Sequence, residues 1–354
     1  MPVVSRGLEG IIAAETQIGD VRGDVGQLIY RGYDINELAD KVSFEEVVFL
    51  LWHGRLPRQR ELDLLTTALR AERELPQGVI DFIVKAPKSA APIDIMRTGV
   101  SMLGCYPTIR HDLDMAEPLA LAIKLVAQIG IIAAYFHRAR NGKSLPPIRK
   151  DLSEAAHFLW LMTGEEPHLD AVRTLDVAYV LHAEHGFNAS TFTARVVAST
   201  LSDMYSAASA AIGALKGPLH GGANEGVIHM LQEIGSLDHV DAWIAEALAQ
   251  KKKIMGIGHR VYKVLDPRAP HLKAMAIKMS EQLGEAKWIQ MSERIAAIMK
   301  ERKGLNANVD FYSATVYHSL DIPTDLFTPI FAISRMSGWT AHILEQLADN
   351  RLFR

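Results

Sequence analysis

The sequence predicts a mainly α-helical protein, on three observations. Helix-start signals followed by apolar residues at helical spacing recur along nearly the whole chain. Strand signals are confined to one stretch, about 16–30, where Gly19, Gly23 and Gly26 punctuate short apolar pieces and suggest a small N-terminal hairpin. Strands and helices never alternate, as a parallel-sheet nucleotide fold requires.

The elements follow in order. Asp34 with Glu37 three residues on is a capping-box pattern, and Ser43 with Glu46 repeats it. The second opens a helix carrying Val47, Val48, Leu50 and Leu51, which Gly54 and Pro57 should stop. Further helices are expected at about 58–73 and 90–103. The run 119–136 (LALAIKLVAQIGIIAAYF) is nearly long enough to span a bilayer, but Lys124 and Gln128 in its middle favour a buried core helix. Asp151 with Glu154 is a third capping box, opening a helix that ends at Gly164. The remaining helices are expected at about 170–184, 192–215, 225–234, 240–252, 270–283, 287–302, 309–319 and 325–348. The small residues of 206–215 (SAASAAIGAL) suit a tight helix or subunit contact as well as an ordinary buried helix.

Composition narrows the function class. The 354 residues suggest about two domains at about 150 residues each. Apolar residues make up 49% and charged residues 22%, which excludes wholesale disorder. A net charge of −3 excludes a generally basic nucleic-acid binder. One cysteine, Cys105, permits no internal disulfide and points to a reducing, cytoplasmic setting. Residues 1–10 lack a basic segment followed by an apolar core, so no signal peptide is expected.

Chemistry-bearing residues concentrate in four segments: 182–190 (HAEHGFNAS), 216–225 (KGPLHGGANE), 251–268 (KKKIMGIGHRVYKVLDPR) and 308–312 (NVDFY), with Arg335 and Arg354 beyond them. His182 and His185 would share a helical face, either as two metal ligands or as structural histidines. His220, before two glycines, allows close approach of a ligand, or simply marks a tight turn. Lysines 251–253 with Arg260, Lys263 and Arg268 form a cationic cluster suited to a multiply phosphorylated small ligand, or a solvated helix end. Asp310, between Val309 and Phe311, is either a base whose proton affinity is raised by apolar company or a helix cap. Together, several histidines, one partly buried carboxylate and several arginines fit proton abstraction beside a carbonyl in a substrate bearing carboxylates.

Segments 217–224 (GPLHGGAN), 256–263 (GIGHRVYK) with 266–268 (DPR), and 308–310 (NVD) resemble the signature segments of the citrate synthase family in identity, order and spacing. Segments 30–38 (YRGYDINEL), 44–47 (FEEV) through 54–57 (GRLP), and 334–342 (SRMSGWTAH) are similar to its N-terminal region and last long helix, so the resemblance covers nearly the whole chain. It implies condensation of acetyl-CoA with oxaloacetate followed by thioester hydrolysis, without metal or other cofactor, in a helical homodimer. It also implies a large domain, 1–220 with 322–354, and a small domain, 221–321, with the active site in the cleft between them.

The same resemblance implies roles residue by residue. Asp310 would take the methyl proton, neutral His220 would donate to the enol oxygen, and His259 would protonate the oxaloacetate carbonyl. His185, Arg268, Arg335 and Asn188 would bind oxaloacetate, with Arg354 contributed by the partner subunit. Lys253, Ile254, Met255, Gly256, Ile257 and Lys263 would hold CoA. The chain ends at Arg354 where relatives continue, and its compact form is similar to the short bacterial and archaeal type. Two other enzymes remain as readings: a 2-methylcitrate synthase using propionyl-CoA, and a divalent-metal hydrolase built from His182, His185, His220 or His259 with Asp310.

Overall fold

A computed structural model describes Gly7 and residues 11–106, 117–284 and 286–354. The signal-peptide reading of 1–10 lies, except for Gly7, outside the described residues.

The only sheet among the described residues is at the N-terminus. Strands β1 (Gly19–Arg22), β2 (Gln27–Tyr30) and β3 (Tyr33–Asp34) pair antiparallel in that order, with Gly19 opposite Tyr30 and Ile29 opposite Asp34. Alternation turns Leu28 and Tyr30 into the core. The third strand was not expected.

Helices follow: α1 (Ile35–Leu38), α2 (Phe44–His53), α3 (Gln59–Ala71), α4 (Gln77–Lys85), α5 (Pro92–Leu103) and α6 (Glu117–Arg140). Two of the three expected capping boxes form, Asp34 with Glu37 and Ser43 with Glu46. Helix α4 was missed, because Pro76 gives no side-chain cap and Gly78 interrupts the pattern. Helix α6 contains the long apolar run and is a core helix packed by α4, α5, α7 and α16. Its Gln128 amide donates to the carbonyls of Glu72 and Glu74, at 2.9 and 2.8 Å.

Then come α7 (Glu154–Thr163), α8 (Leu169–His182), α9 (Ala189–Ser199) and α10 (Met204–Leu215). Three expectations need correction here. The cap of α7 is Ser153, not Asp151, whose carboxylate is held by Arg149. Helix α8 stops at His182, because Arg335 Nε takes the His182 carbonyl at 2.6 Å; His185 therefore lies beyond the helix and shares no helical face with His182. The run 192–215 is two helices, broken where Leu201 turns left-handed (φ 62°) and Asp203 caps α10. The small-residue stretch of α10 packs on α9, α5 and α16.

The last helices are α11 (Ala223–Ile234), α12 (Val240–Ala249), α13 (Ala269–Leu283), α14 (Lys287–Lys303), α15 (Val309–Ser319) and α16 (Phe327–Ala348). Helices α11 to α15 pack largely on one another, whereas α16 returns to α2, α6, α8, α9 and α10. Trp339 on α16 is fully buried, and its indole N–H donates to Ser190 Oγ at 3.1 Å. The core and the segment 182–190 are thereby tied together.

Candidate active site

Five pieces of chain form the site: the α8–α9 turn, the α10–α11 turn, the loop 256–268, the start of α15, and the Arg335 face of α16.

In the α10–α11 turn, a Cβ on Gly221 would lie 2.4 Å from the Leu215 carbonyl oxygen, so only glycine permits the reversal that presents His220. His220 Nε2 receives the Ser190 backbone N–H at 3.3 Å and lies 2.8 Å from Ser190 Oγ. An amide N–H can only donate, so Nε2 is unprotonated and the ring proton sits on Nδ1. Burial, then Arg335, pushes the imidazole pKa down to about 4. His220 is thus a neutral ring with one N–H to offer.

In the loop 256–268, Gly256 (φ 73°) lies so close to α11 and α15 that a Cβ would meet Val227 and Phe311 at 2.7 and 2.8 Å. His259 Nδ1 accepts the backbone N–H of Val261 and of Tyr262, at 3.0 and 3.1 Å. Its proton is therefore on Nε2, and burial, then Arg268, pushes its pKa down to about 4. His185, on the α8–α9 turn, meets the Tyr262 hydroxyl at 3.1 Å, and its ring stands edge-on to His259 at 5.6 Å. Burial, with Arg268 and Arg335, holds it far below the usual imidazole range.

Two guanidiniums are buried here. Arg268 pairs with Asp266 through Nε (2.9 Å) and Nη2 (2.8 Å). Arg335 spends Nε on the His182 carbonyl and lies over the Phe331 ring at 4.8 Å; burial lowers it to about 10, so it stays charged at neutral pH. Among the described residues Arg335 has no carboxylate at ion-pair distance.

Asp310 is the second residue of α15. The cap is Asn308, which accepts from the Asp310 N–H at 3.0 Å and donates to the Gly258 carbonyl at 2.7 Å. That leaves the Asp310 carboxyl free, and its Oδ1 is buried with no hydrogen-bond partner. A helix N-terminus lowers a carboxyl pKa, but burial outweighs it and, opposed by Arg268 and helped by Asp266, lifts Asp310 to about 6. The fields of Arg268 and Arg335 both reach Asp310 and His185, Arg268 also reaches His259, and Arg335 reaches His220. These groups therefore form one electrostatic cluster. Cavities of about 240 Å³, lined by His259, Tyr262 and Asn308, and about 270 Å³, lined by His185, Asn188 and Val261, open beside it.

Other candidates are placed differently. Asn188 caps α9, its Oδ1 accepting from Thr191 N at 3.1 Å. Ile254 and Ile257 are buried, and Met255 packs under Gly226, so 253–257 offers a ligand mainly backbone and the exposed Lys253. Lys263 is exposed and its Nζ donates to the Arg260 carbonyl at 3.0 Å. Arg354 lines a groove of about 970 Å³ with Arg31, Arg195 and Glu345, which includes none of His185, His220, His259, Asp310, Arg268 or Arg335. His182 is held by the Ala178 carbonyl and packs edge-on against Phe331. Among the described residues no three His, Cys, Asp or Glu side chains group as a metal site. Ser190, Tyr262 and Asp266 were not singled out beforehand, although all three lie inside the segments that were.

A helical scaffold presenting neutral imidazole donors, a raised carboxylate and buried arginines suits proton transfer at carbon beside a carbonyl. The citrate synthase C-terminal domain model matches residues 7–354. Citrate synthase 2 of Bacillus subtilis is 49% identical over 99% of this chain and 94% of its own. A 2-methylcitrate synthase of Corynebacterium glutamicum is 42% identical over 99% and 93%. The citrate synthase of Thermoplasma acidophilum, solved with carboxymethyl coenzyme A and oxaloacetate, superposes with a TM-score of 0.91 at 31% identity, covering 99% of this chain and 94% of that one. The chain belongs to the citrate synthase family.

Proposed function

We propose that this protein condenses acetyl-CoA with oxaloacetate and hydrolyses the citryl thioester to citrate and CoA. The observation that carries the reading is the Asp310 carboxyl, buried, unpartnered at Oδ1 and raised to about 6, in one cluster with two neutral imidazoles. A thioester α-proton is too weakly acidic for a carboxylate alone, so removal requires the enol oxygen to be stabilised at the same moment. Asp310 takes the proton and His220 Nδ1–H faces the developing enol oxygen. His259 Nε2–H protonates the oxaloacetate carbonyl as the carbon–carbon bond forms. Arg335, His185 and Arg268 bind the dicarboxylate, and Lys253 with the 253–257 backbone binds CoA. Asn188 shapes the oxaloacetate pocket through its cap.

The two bodies, 1–220 with 322–354 and 221–321, close over the ligands as domains. His259, Arg268 and Asp310 ride on the second body, His185, His220 and Arg335 on the first. Closure excludes water until both substrates are seated. The working unit is a cytoplasmic homodimer in which Arg354 completes the partner's site; the match of Arg354 to an arginine of the family's C-terminal segment supports that assignment. Asp310→Asn should abolish condensation while oxaloacetate still binds, and near-normal turnover would remove Asp310 from this role.

The similarity to 2-methylcitrate synthases supports a second reading in which propionyl-CoA is the donor. One methyl group is worth about 1–3 kcal/mol of discrimination. Initial rates with acetyl-CoA and propionyl-CoA at fixed oxaloacetate decide between them.

A further inference from the structure

Directly before His185 lies a carboxylate that the reaction does not use. Glu184 is fully buried. Its Oε1 accepts two hydrogen bonds, from the Gly186 backbone N–H and from His342 Nε2 at 3.1 Å. Its chamber is cut from two glycines: a Cβ on Gly19 of β1 would lie 2.9 Å from Oε1, and one on Gly338 of α16 would lie 2.7 Å from Oε2 and 2.3 Å from the Ala183 carbonyl oxygen. The donor is fixed as well. Arg195 Nη1, which can only donate, meets His342 Nδ1 at 3.1 Å, so the His342 proton sits on Nε2 and points at Glu184. Arg195 is in turn held by Glu345 at 2.5 Å and by Gln346 at 3.1 Å.

Arg335, Gly338 and His342 are three and four residues apart on α16 and share one face. That face holds the His182 carbonyl through Arg335, makes room for the turn at Gly338, and grips the turn's carboxylate through His342. The left-handed Gly186 (φ 58°) fixes where the His185 ring emerges, and its N–H donates to Glu184 Oε1. We propose that Glu184 is a positioning residue for dicarboxylate binding: its Oε1, anchored by the Arg195–His342 pair, sets the His185–Gly186 turn so that His185 and Arg335 face the same ligand.

The proposal rests on the reading that His185 and Arg335 bind oxaloacetate, and the test separates the two. Oxaloacetate Kd by calorimetry, and KM and kcat with each substrate, are measured for the wild type and for E184A, E184Q and H342L. If the wild type fails to bind oxaloacetate, the functional reading itself is lost. If it binds, E184A should raise Kd and KM for oxaloacetate at least tenfold and KM for the acyl-CoA less than threefold. E184Q, which keeps the accepting oxygen, should recover to within about threefold of wild type. H342L, which removes the anchor but fills its space, should raise oxaloacetate KM at least fivefold and stands in if E184A does not fold. Oxaloacetate affinity within twofold of wild type in E184A or H342L would overturn the proposal. So would E184Q as weak as E184A, which would assign the effect to charge, or failure of every variant to fold, which would assign the carboxylate to the scaffold alone.

Discussion

Two buried ionic clusters occupy this molecule, and only one is built for chemistry. Between α2, α7 and α8 lie Glu45, Arg73, Glu154, His157 and Asp176, all nearly inaccessible. Burial lifts Glu154 to about 6, as it does Asp310, and with the neighbouring Glu45 lifts Asp176 well above the usual carboxylate range. Yet these carboxylates are spent on structure. Asp176 accepts the Phe44 N–H at 3.0 Å at the start of α2. Glu45 accepts the Glu154 N–H at 2.8 Å at the start of α7, and Glu154 binds Arg73 at 2.6 Å. The cavity beside Glu154 and His157 holds about 10 Å³, room for no more than a water, against about 240 and 270 Å³ beside the Asp310 cluster. A raised carboxyl is thus a property of burial. What separates Asp310 is an orphan oxygen in a cluster with two neutral imidazoles, a cluster whose members His185 and His259, though not Asp310 itself, line open cavities.

The sharpest way to break that contrast is to make the same change in both clusters. Asp310→Asn should lower kcat by about 10²–10⁴-fold, the range of a general base, with oxaloacetate Kd within a few-fold by calorimetry. Asp176→Asn should leave kcat within about twofold. Equal losses in the two variants would dissolve the distinction.

Next in size are the donors. Replacing His220 or His259 by Ala should each cost about 10²–10³-fold in kcat, as for other groups facing developing oxyanions. His157→Ala, in the structural cluster, should lower Tm and spare kcat. An active enzyme without either donor ring would show that the imidazoles serve packing.

A third comparison is pH. The base must be ionised, so kcat/KM for the acyl-CoA should fall about tenfold per pH unit below about 6, while both donors, at about 4, remain neutral. A flat profile from pH 7 to 5 would exclude Asp310 as base. Asp176 shows the opposite use of a raised carboxyl. Its folded pKa lies above the unfolded one, so its contribution to stability is complete below about 4 and is lost as pH rises through the raised value. Asp176→Asn should therefore destabilise less at pH 8 than at pH 5, read from thermal melts at both.

The smallest effect concerns backbone. Gly221→Ala forces a Cβ against the Leu215 carbonyl and should cost about 1–3 kcal/mol of stability, with a drop in kcat because His220 moves with the turn. Gly304→Ala, with no atom near its Cβ and only a left-handed φ to oppose it, should lower stability without touching kcat.

Much was legible in the sequence because it was local. Capping boxes at Asp34 and Ser43 formed as read, since both partners lie within one turn of chain. The helical class followed from periodicity, and the segments around His220, His259 and Asp310 from residues rare in ordinary helices. Where a distant group intervened, the reading failed. Arg335 ended α8 and removed His185 from it, and Arg149 took Asp151 from its cap.

Tertiary structure alone decided the chemical states. The tautomer of His220 depends on the Ser190 N–H, thirty residues away, and that of His259 on how the loop folds back upon it. Whether Asp310 caps a helix or keeps a bare oxygen depends on Asn308 taking the cap and on burial by other segments. Proton positions and affinities are set by which dipoles and charges lie within a few ångströms, and sequence order does not specify those distances. The chain by itself determined which groups were on hand; folding determined which of them were left with something to give.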